Sequence, residues 1–211
     1  MRLTVFGATG GTGTQVVRLA LTAGHEVTAV VRDPARLDVP PDPNLLVVTA
    51  DVMDPASIAA SVAGRDAVVS TLGVKPGDGP TTVCAGGAEG VVAAMRETGV
   101  RRLLVVSSCG LTGAGNHVVL RATKAFARRT FLRHAYDDLR VMEDVVRASG
   151  LDWTIVRPPG LKDRPATGHY LVRRGLNIWN GWSISRTDLA QLLLDLSGDP
   201  SSLHQTVAVA D

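Results

Sequence analysis

The stretch Phe6-Gly7-Ala8-Thr9-Gly10-Gly11-Thr12-Gly13 decides how this chain is read. It follows a short apolar run, Leu3–Phe6, and precedes a helical pattern over Thr14–Ala23. Glycines at 7, 10 and 13 have GxxGxxG spacing, and a strand before them and a helix after them make the pattern specific. Gly7 permits the tight turn off the strand. Gly10 lets backbone approach a pyrophosphate with no Cβ in the way, and Gly13 lets helix and strand pack closely. Free N–H groups of Gly11 and its neighbours at the helix start then face the anion, and Thr9 and Thr12 can add hydroxyl donors. The stretch therefore predicts a dinucleotide-binding loop.

The second apolar run, Val27–Val31, ends in Arg32-Asp33-Pro34-Ala35-Arg36. This is where a ribose-reading residue belongs, about twenty residues after the glycines. A carboxylate there would hold a 2′-hydroxyl. Two guanidinium groups, Arg32 and Arg36, suit a 2′-phosphate through bidentate, charge-assisted hydrogen bonds, so the expected cofactor is NADP(H) rather than NAD(H). Asp33 has two roles open to it, reading the ribose or capping a short helix from Pro34.

Further runs at Leu45–Thr49, Asp66–Ser70, Leu103–Ser107, Trp153–Val156 and Thr206–Val209 read as strands. Helical patterns at Pro55–Val62, Thr82–Thr98 with Gly99 as stop, about 118–149 with Gly150 as stop, and Arg186–Leu196 behind Ser185 separate them. Near-continuous Val/Ile/Leu runs suit strands buried on both faces. Strands alternating with helices predict a single α/β domain, a Rossmann-type doubly wound parallel sheet with helices on both faces. Residues 158–182, rich in Gly, Pro and Trp, are expected to be irregular, and a small substrate-side lid is expected around 158–185.

Ligands lie at the carboxyl ends of such strands, which nominates the residues just after them. Asp51 and Val52 are placed at the adenine edge, with a bland cap equally open for Asp51. Leu72 and Gly73 should pass beside the cofactor. Ser107 and Ser108 should flank the nicotinamide, where a hydroxyl can meet a carboxamide or a substrate carbonyl; Ser108 is the candidate catalytic residue.

At 211 residues the chain fits one domain. A formal net charge of +2 does not suggest nucleic acid. The basic residues Arg121, Lys124, Arg128, Arg129 and Arg133 crowd one stretch, read as a solvated helix face or as a docking surface for a phosphate-bearing ligand or partner. Cys84 and Cys109 have no metal-ligand spacing and are expected as buried thiols in a reducing compartment; no metal is expected. No leader and no membrane-length apolar run is visible, so a cytoplasmic chain is expected. Tyr136 and Tyr170 are each followed four residues on by arginine, not the lysine of a Tyr-x-x-x-Lys pair. His117, His134 and His169 are scattered, His169 falling in the expected lid. Trp179 and Trp182 are read as packing residues that could also shelter an aromatic ligand.

These stretches, with Val31-Arg-Asp-Pro-Ala-Arg-Leu37, Val62-Ala-Gly-Arg-Asp-Ala-Val68, Pro80-Thr-Thr-Val83, Val92-Ala-Ala-Met95, Arg147-Ala-Ser-Gly-Leu151, Arg157-Pro-Pro159 and Pro165-Ala-Thr-Gly168, resemble the atypical short-chain dehydrogenase/reductases. More narrowly, they resemble the flavin reductase/biliverdin reductase B family. The resemblance implies an NADPH-dependent reductase acting on a flavin, quinone-like or tetrapyrrole-like ring, or a non-catalytic redox sensor of the same superfamily. It implies a monomer, with a dimer left open. It further implies that Arg32 and Arg36 hold the 2′-phosphate, that Ser108 lies near the nicotinamide, and that Pro159, Gly160 and Leu161 line the site. Gly160-Leu161 departs from the family's His-Ile, Leu139 replaces another family histidine, and residues 113–135 are longer and more basic than the resemblance predicts.

Overall fold

A computed structural model describes residues 1–74, 79–112, 114–116 and 132–211. The strands are β1 (Arg2–Phe6), β2 (Glu26–Val31), β3 (Leu45–Thr49), β4 (Ala67–Ser70), β5 (Arg102–Val106), β6 (Asp152–Arg157), β7 (Gly160–Lys162), β8 (Leu171–Arg174), β9 (Ser183–Ser185) and β10 (Gln205–Ala210). The helices are α1 (Gly11–Thr22), α2 (Pro55–Val62), α3 (Val83–Thr98), α4 (Arg133–Arg147) and α5 (Arg186–Ser197). One sheet runs β3-β2-β1-β4-β5-β6-β10-β8. Every pairing in it is parallel except that of β10 with β8. The order 3-2-1-4-5-6 is that of a Rossmann fold, which reverses between β1 and β4 and opens a crevice there.

Side-chain alternation along the strands feeds two cores. Leu3, Val5, Val27, Ala29 and Leu104 pack with Val16, Val17 and Ala20 of α1 and Leu189 and Leu193 of α5. Phe6, Val30, Val68, Leu103 and Val105 pack on the other face with Ile58 of α2, Val91 and Met95 of α3, and Met142 and Val146 of α4. Each fully buried aliphatic side chain contributes about 1.5–3 kcal/mol, so both faces of the central strands stabilise the fold.

The structure departs from the sequence reading in three places. The apolar run of β3 is not buried on both faces: Leu46 is 54% and Val47 38% exposed, because β3 is the sheet's outer strand. Residues 158–182 are not irregular throughout. They form β7, which pairs with β9, and β8, which closes the sheet edge antiparallel to β10. Three- and four-residue strands are too short to show a period in the sequence. Helix α1 begins at Gly11, three residues before the helical pattern becomes visible, since glycines carry no helical signal.

Of the helical region expected from 118, the described part is α4. Arg121, Lys124, Arg128, Arg129 and His117 lie outside the described residues; Arg133 is exposed and pairs with Asp137 at 3.8 Å. The start of α3 is satisfied across helices: its N-cap residue Thr82 makes no side-chain cap. Instead buried Asp138 of α4 accepts from Cys84 N at 3.0 Å and Ala85 N at 2.8 Å. Among the described residues no helix is long and apolar enough to cross a membrane.

Candidate dinucleotide and acceptor site

The glycine loop sits at the carboxyl end of β1. Gly7 has φ +75°, and a Cβ on it would stand 2.9 Å from the Thr71 backbone. A Cβ on Gly13 would stand 2.2 Å from Gly7 O, so this contact admits glycine alone. Thr71 Oγ1 donates to Phe6 O at 3.0 Å and Gly7 O at 3.2 Å, and Thr14 Oγ1 to Ala8 O at 2.9 Å, which fixes the turn. Gly10 is different. Its Cβ would meet only Gly7 O, at 3.2 Å, and the residue is exposed, leaving the backbone open to an approaching group. Helix α1 has no side-chain cap and no acid in its first turn. Its first turn is thus left without a side-chain acceptor from the cap position, a seat for an anion. The cradle fits the pyrophosphate of a dinucleotide.

Arg32 and Arg36 follow β2. Both are exposed, and neither is paired with a carboxylate among the described residues. Of the two roles open to Asp33, the structure shows the cap: its carboxylate accepts from Ala35 N at 3.1 Å over the turn Pro34–Arg36. Asp51 likewise shows the local role, accepting from Met53 N at 3.0 Å. Val52 and Leu72 lie on the glycine face of α3, where a Cβ on Gly90 would stand 2.1 Å from Val52 O and one on Gly87 2.5 Å from the Leu72 side chain.

A cavity of about 620 Å³ opens at the carboxyl ends of β4, β5 and β6. It brings together eight residues expected from sequence: Thr12, Leu72, Gly73, Ser107, Ser108, Pro159, Gly160 and Leu161. Gly7, Thr9, Gly10, Arg32, Arg36, Asp51 and Val52 are outside this lining, on the segments that follow β1, β2 and β3, as are Gly11 and Gly13 in the first turn of α1. Leu139, which the resemblance marks as replacing a family histidine, also lines the cavity; sequence reasoning missed Cys84 and Arg186 as lining residues, and it favoured a packing or surface role for Tyr136 and Trp182. Trp182 stands at the cavity with 51% of its surface exposed, its indole held by Nε1 donation to Asn180 Oδ1 at 2.8 Å. Trp179 is exposed and outside the lining. His134 and His169 are exposed too, and neither reaches the cavity.

The polar groups of the cavity differ in how they are committed. Ser107 Oγ donates to Glu143 Oε1 at 2.6 Å. Glu143, almost fully buried, also accepts from both Arg157 Nε at 2.8 Å and Arg147 at 2.8 Å. Burial pushes its carboxyl upward, but hydrogen bonds from Arg157 and Ser107 and the Arg157 charge outweigh this and hold it below the ordinary carboxylate range. Ser108 Oγ accepts from Gly110 N at 3.1 Å, capping the turn Cys109–Leu111. The Tyr136 hydroxyl rests against Gly110, where a Cβ would lie 2.1 Å from it. Arg140, four residues on, is turned to Asp137 at 3.3 Å on an exposed face. Cys84 and Cys109 are buried thiols, not joined in a disulfide. The Cys84 thiol is pushed up to about 12 by burial and then by Asp138, so it stays protonated and is no nucleophile.

A doubly wound sheet with a glycine loop at its first strand end and a cavity at the switch point defines a dinucleotide-binding protein. Residues 7–200 match the NAD(P)H-binding family, and the chain belongs to it. It is 34% identical over 212 residues to an uncharacterized chloroplastic protein of Arabidopsis thaliana, covering 97% of this chain and 75% of that one. Among solved structures, a short-chain dehydrogenase/reductase from Veillonella parvula, in complex with NADP, superposes with TM-score 0.82 at 19% identity over 100% of this chain and 94% of that one. ChuY, an anaerobillin reductase from Escherichia coli O157:H7, superposes with TM-score 0.77 at 24% identity over 100% and 97%.

Proposed function

We propose that this chain is an NADPH-dependent reductase that delivers two electrons to a planar ring acceptor of flavin, quinone-like or tetrapyrrole-like chemistry. The observation that carries this reading is the cavity of about 620 Å³ beside the dinucleotide loop, lined mostly by apolar side chains such as Leu72, Val106, Leu139, Leu161 and Trp182. A ketone reductase needs a proton donor of lowered pKa for the developing alkoxide. Arg140 stands four residues after Tyr136, where a Tyr-x-x-x-Lys pair has its lysine, and its guanidinium is turned to Asp137, so these two residues do not form that pair. A ring that delocalises the incoming charge can take its proton from water. The likeness in fold to ChuY favours such a ring.

In this reading Gly7, Gly10, Gly11 and Gly13, with Thr9 and Thr12, hold the pyrophosphate. Arg32 and Arg36 hold the 2′-phosphate, and Asp51 and Val52 bound the adenine. Leu72, Gly73 and Ser107 flank the nicotinamide half, while Ser108 offers its hydroxyl to the polar edge of the nicotinamide or the acceptor. Pro159, Gly160 and Leu161, with the strands of the 158–185 segment, cover the acceptor side and exclude water. The cofactor supplies the hydride; the chain supplies the positions of the two rings.

The test is oxidation of NADPH, and separately NADH, followed at the nicotinamide band with FMN, riboflavin, a naphthoquinone or biliverdin as acceptor. Oxidation of NADPH by one of these is expected. Trp182→Ala should raise KM for that acceptor about 3- to 10-fold, the worth of one aromatic stacking contact. Its NADPH affinity should not change. Tight NADPH binding with no oxidation by any acceptor overturns the reductase reading in favour of a dinucleotide-dependent regulatory binder.

A further inference from the structure

Arg186 opens α5, yet its side chain lies across the start of α1. A Cβ built on Gly11 would stand 2.6 Å from Arg186 Nε and 2.7 Å from its Cδ. Nε donates to Asp163 Oδ1 at 2.8 Å. The other guanidinium N–H groups make no hydrogen bond to a described residue. A permanent cation is thus laid on the positive end of a helix that has neither a side-chain cap nor an acid in its first turn. Helix dipole and guanidinium repel each other there, and an anion between them relieves both. In a Rossmann fold the group at this place is the pyrophosphate.

We infer that Arg186 is a pyrophosphate ligand of the dinucleotide site, with Asp163 as the residue that positions it. The inference rests on the dinucleotide site of the proposed function and not on the identity of the acceptor. Its placement is built in from α5. Buried Asp188, two residues on, accepts from Thr167 N at 2.9 Å and Gly168 N at 3.0 Å, so the first turn of α5 grips the 163–168 loop at both ends. The arginine then recognises what NADPH and NADH share, whereas Arg32 and Arg36 recognise what distinguishes them. Nothing in the glycine motif announces it, because it arrives from a residue 175 positions after Gly11 in the chain, counting 186 − 11.

The experiment is titration of the folded chain with NADPH and with NADH by calorimetry, with no acceptor present. Arg186→Ala is expected to weaken both ligands by the same factor, about 10- to 100-fold, the worth of a charge-assisted hydrogen bond. Arg186→Lys, which keeps the charge without the fork, should lose less, and Asp163→Asn, which keeps the cation but loosens it, less again. Equal affinities in Arg186→Ala and the wild type, with both folded by thermal melt, overturn the inference. So does a loss confined to NADPH, which would place Arg186 on the 2′-phosphate. A wild-type chain that binds neither dinucleotide would instead bring down the site itself.

Discussion

Replacing Gly13 with alanine should remove most dinucleotide binding and lower stability together. The added Cβ would lie 2.2 Å from Gly7 O and 2.7 Å from Thr71 Oγ1. The first of these is backbone and cannot rotate away. Either α1 moves off β1 or the turn at Gly7 opens, and overpacking of this kind costs about 3 kcal/mol. For a chain of this size that is a fall of about 6–12 °C in Tm. Movement of the helix start also displaces the N–H groups that face the phosphates. Losing two hydrogen bonds to a charged group weakens NADPH by about 100-fold or more. Gly198→Ala is the matched control, since its Cβ meets nothing within 4 Å and its φ is −100°. A Gly13→Ala protein with wild-type Tm and NADPH affinity would show that helix and turn do not touch as described.

Glu143→Gln should be the most destabilising isosteric change near the cavity. The Glu143 side chain is 3% exposed and that of Arg157 14% exposed. Glutamine keeps the shape but leaves the arginine charge without its counter-ion, which costs about 3–5 kcal/mol at a buried pair. The pH dependence follows from the direction of the shift. Because folding lowers the Glu143 pKa, the folded state binds this proton more weakly than the unfolded one. Its contribution is therefore complete above the unfolded carboxylate value of about 4.3 and is lost as pH falls through the folded one. Urea denaturation at pH 7 and below pH 4 should show the gap between wild type and Glu143→Gln narrowing in acid. Part of the acid slope should survive in the variant, since Asp66, Asp188 and Asp199 are also held low by their hydrogen bonds. A gap that stays constant with pH would mean that Glu143 is not held ionised by its partners.

The parts of this fold legible in the sequence are those set by local rules. The glycine loop announces itself because Gly7 and Gly13 answer to contacts within a few residues and to one strand end. Leu45–Thr49 and Pro55–Val62 are read to the residue, since caps and turn residues bound them. What stayed hidden depends on partners far along the chain. The apolar pattern of β3 says strand but not edge strand. The pairing of β7 with β9 and of β8 with β10 joins short segments that have no period of their own. Asp138 capping α3 from another helix, Glu143 holding Ser107, and Arg186 lying on Gly11 are likewise contacts between residues separated by 53 or more, 36 and 175 positions. Of the lining residues found from sequence, Leu72, Gly73, Ser107 and Ser108 sit just after strands, where the topology predicts a ligand, Thr12 belongs to the glycine motif, and Pro159, Gly160 and Leu161 came from the family resemblance. Those it missed or discounted, such as Arg186 and Tyr136, enter from helices packed beside the crevice.

The most direct test is a calorimetric comparison of NADPH and NADH binding to the wild type and to Arg32→Ala/Arg36→Ala. One site per chain is expected, with NADPH bound about 100-fold more tightly than NADH through charge-assisted contacts to the 2′-phosphate. Removing both arginines should bring NADPH to the level of NADH and leave NADH unchanged. NADH bound as tightly as NADPH, with no response to loss of the arginines, would contradict the phosphate clamp and return the ribose to Asp33.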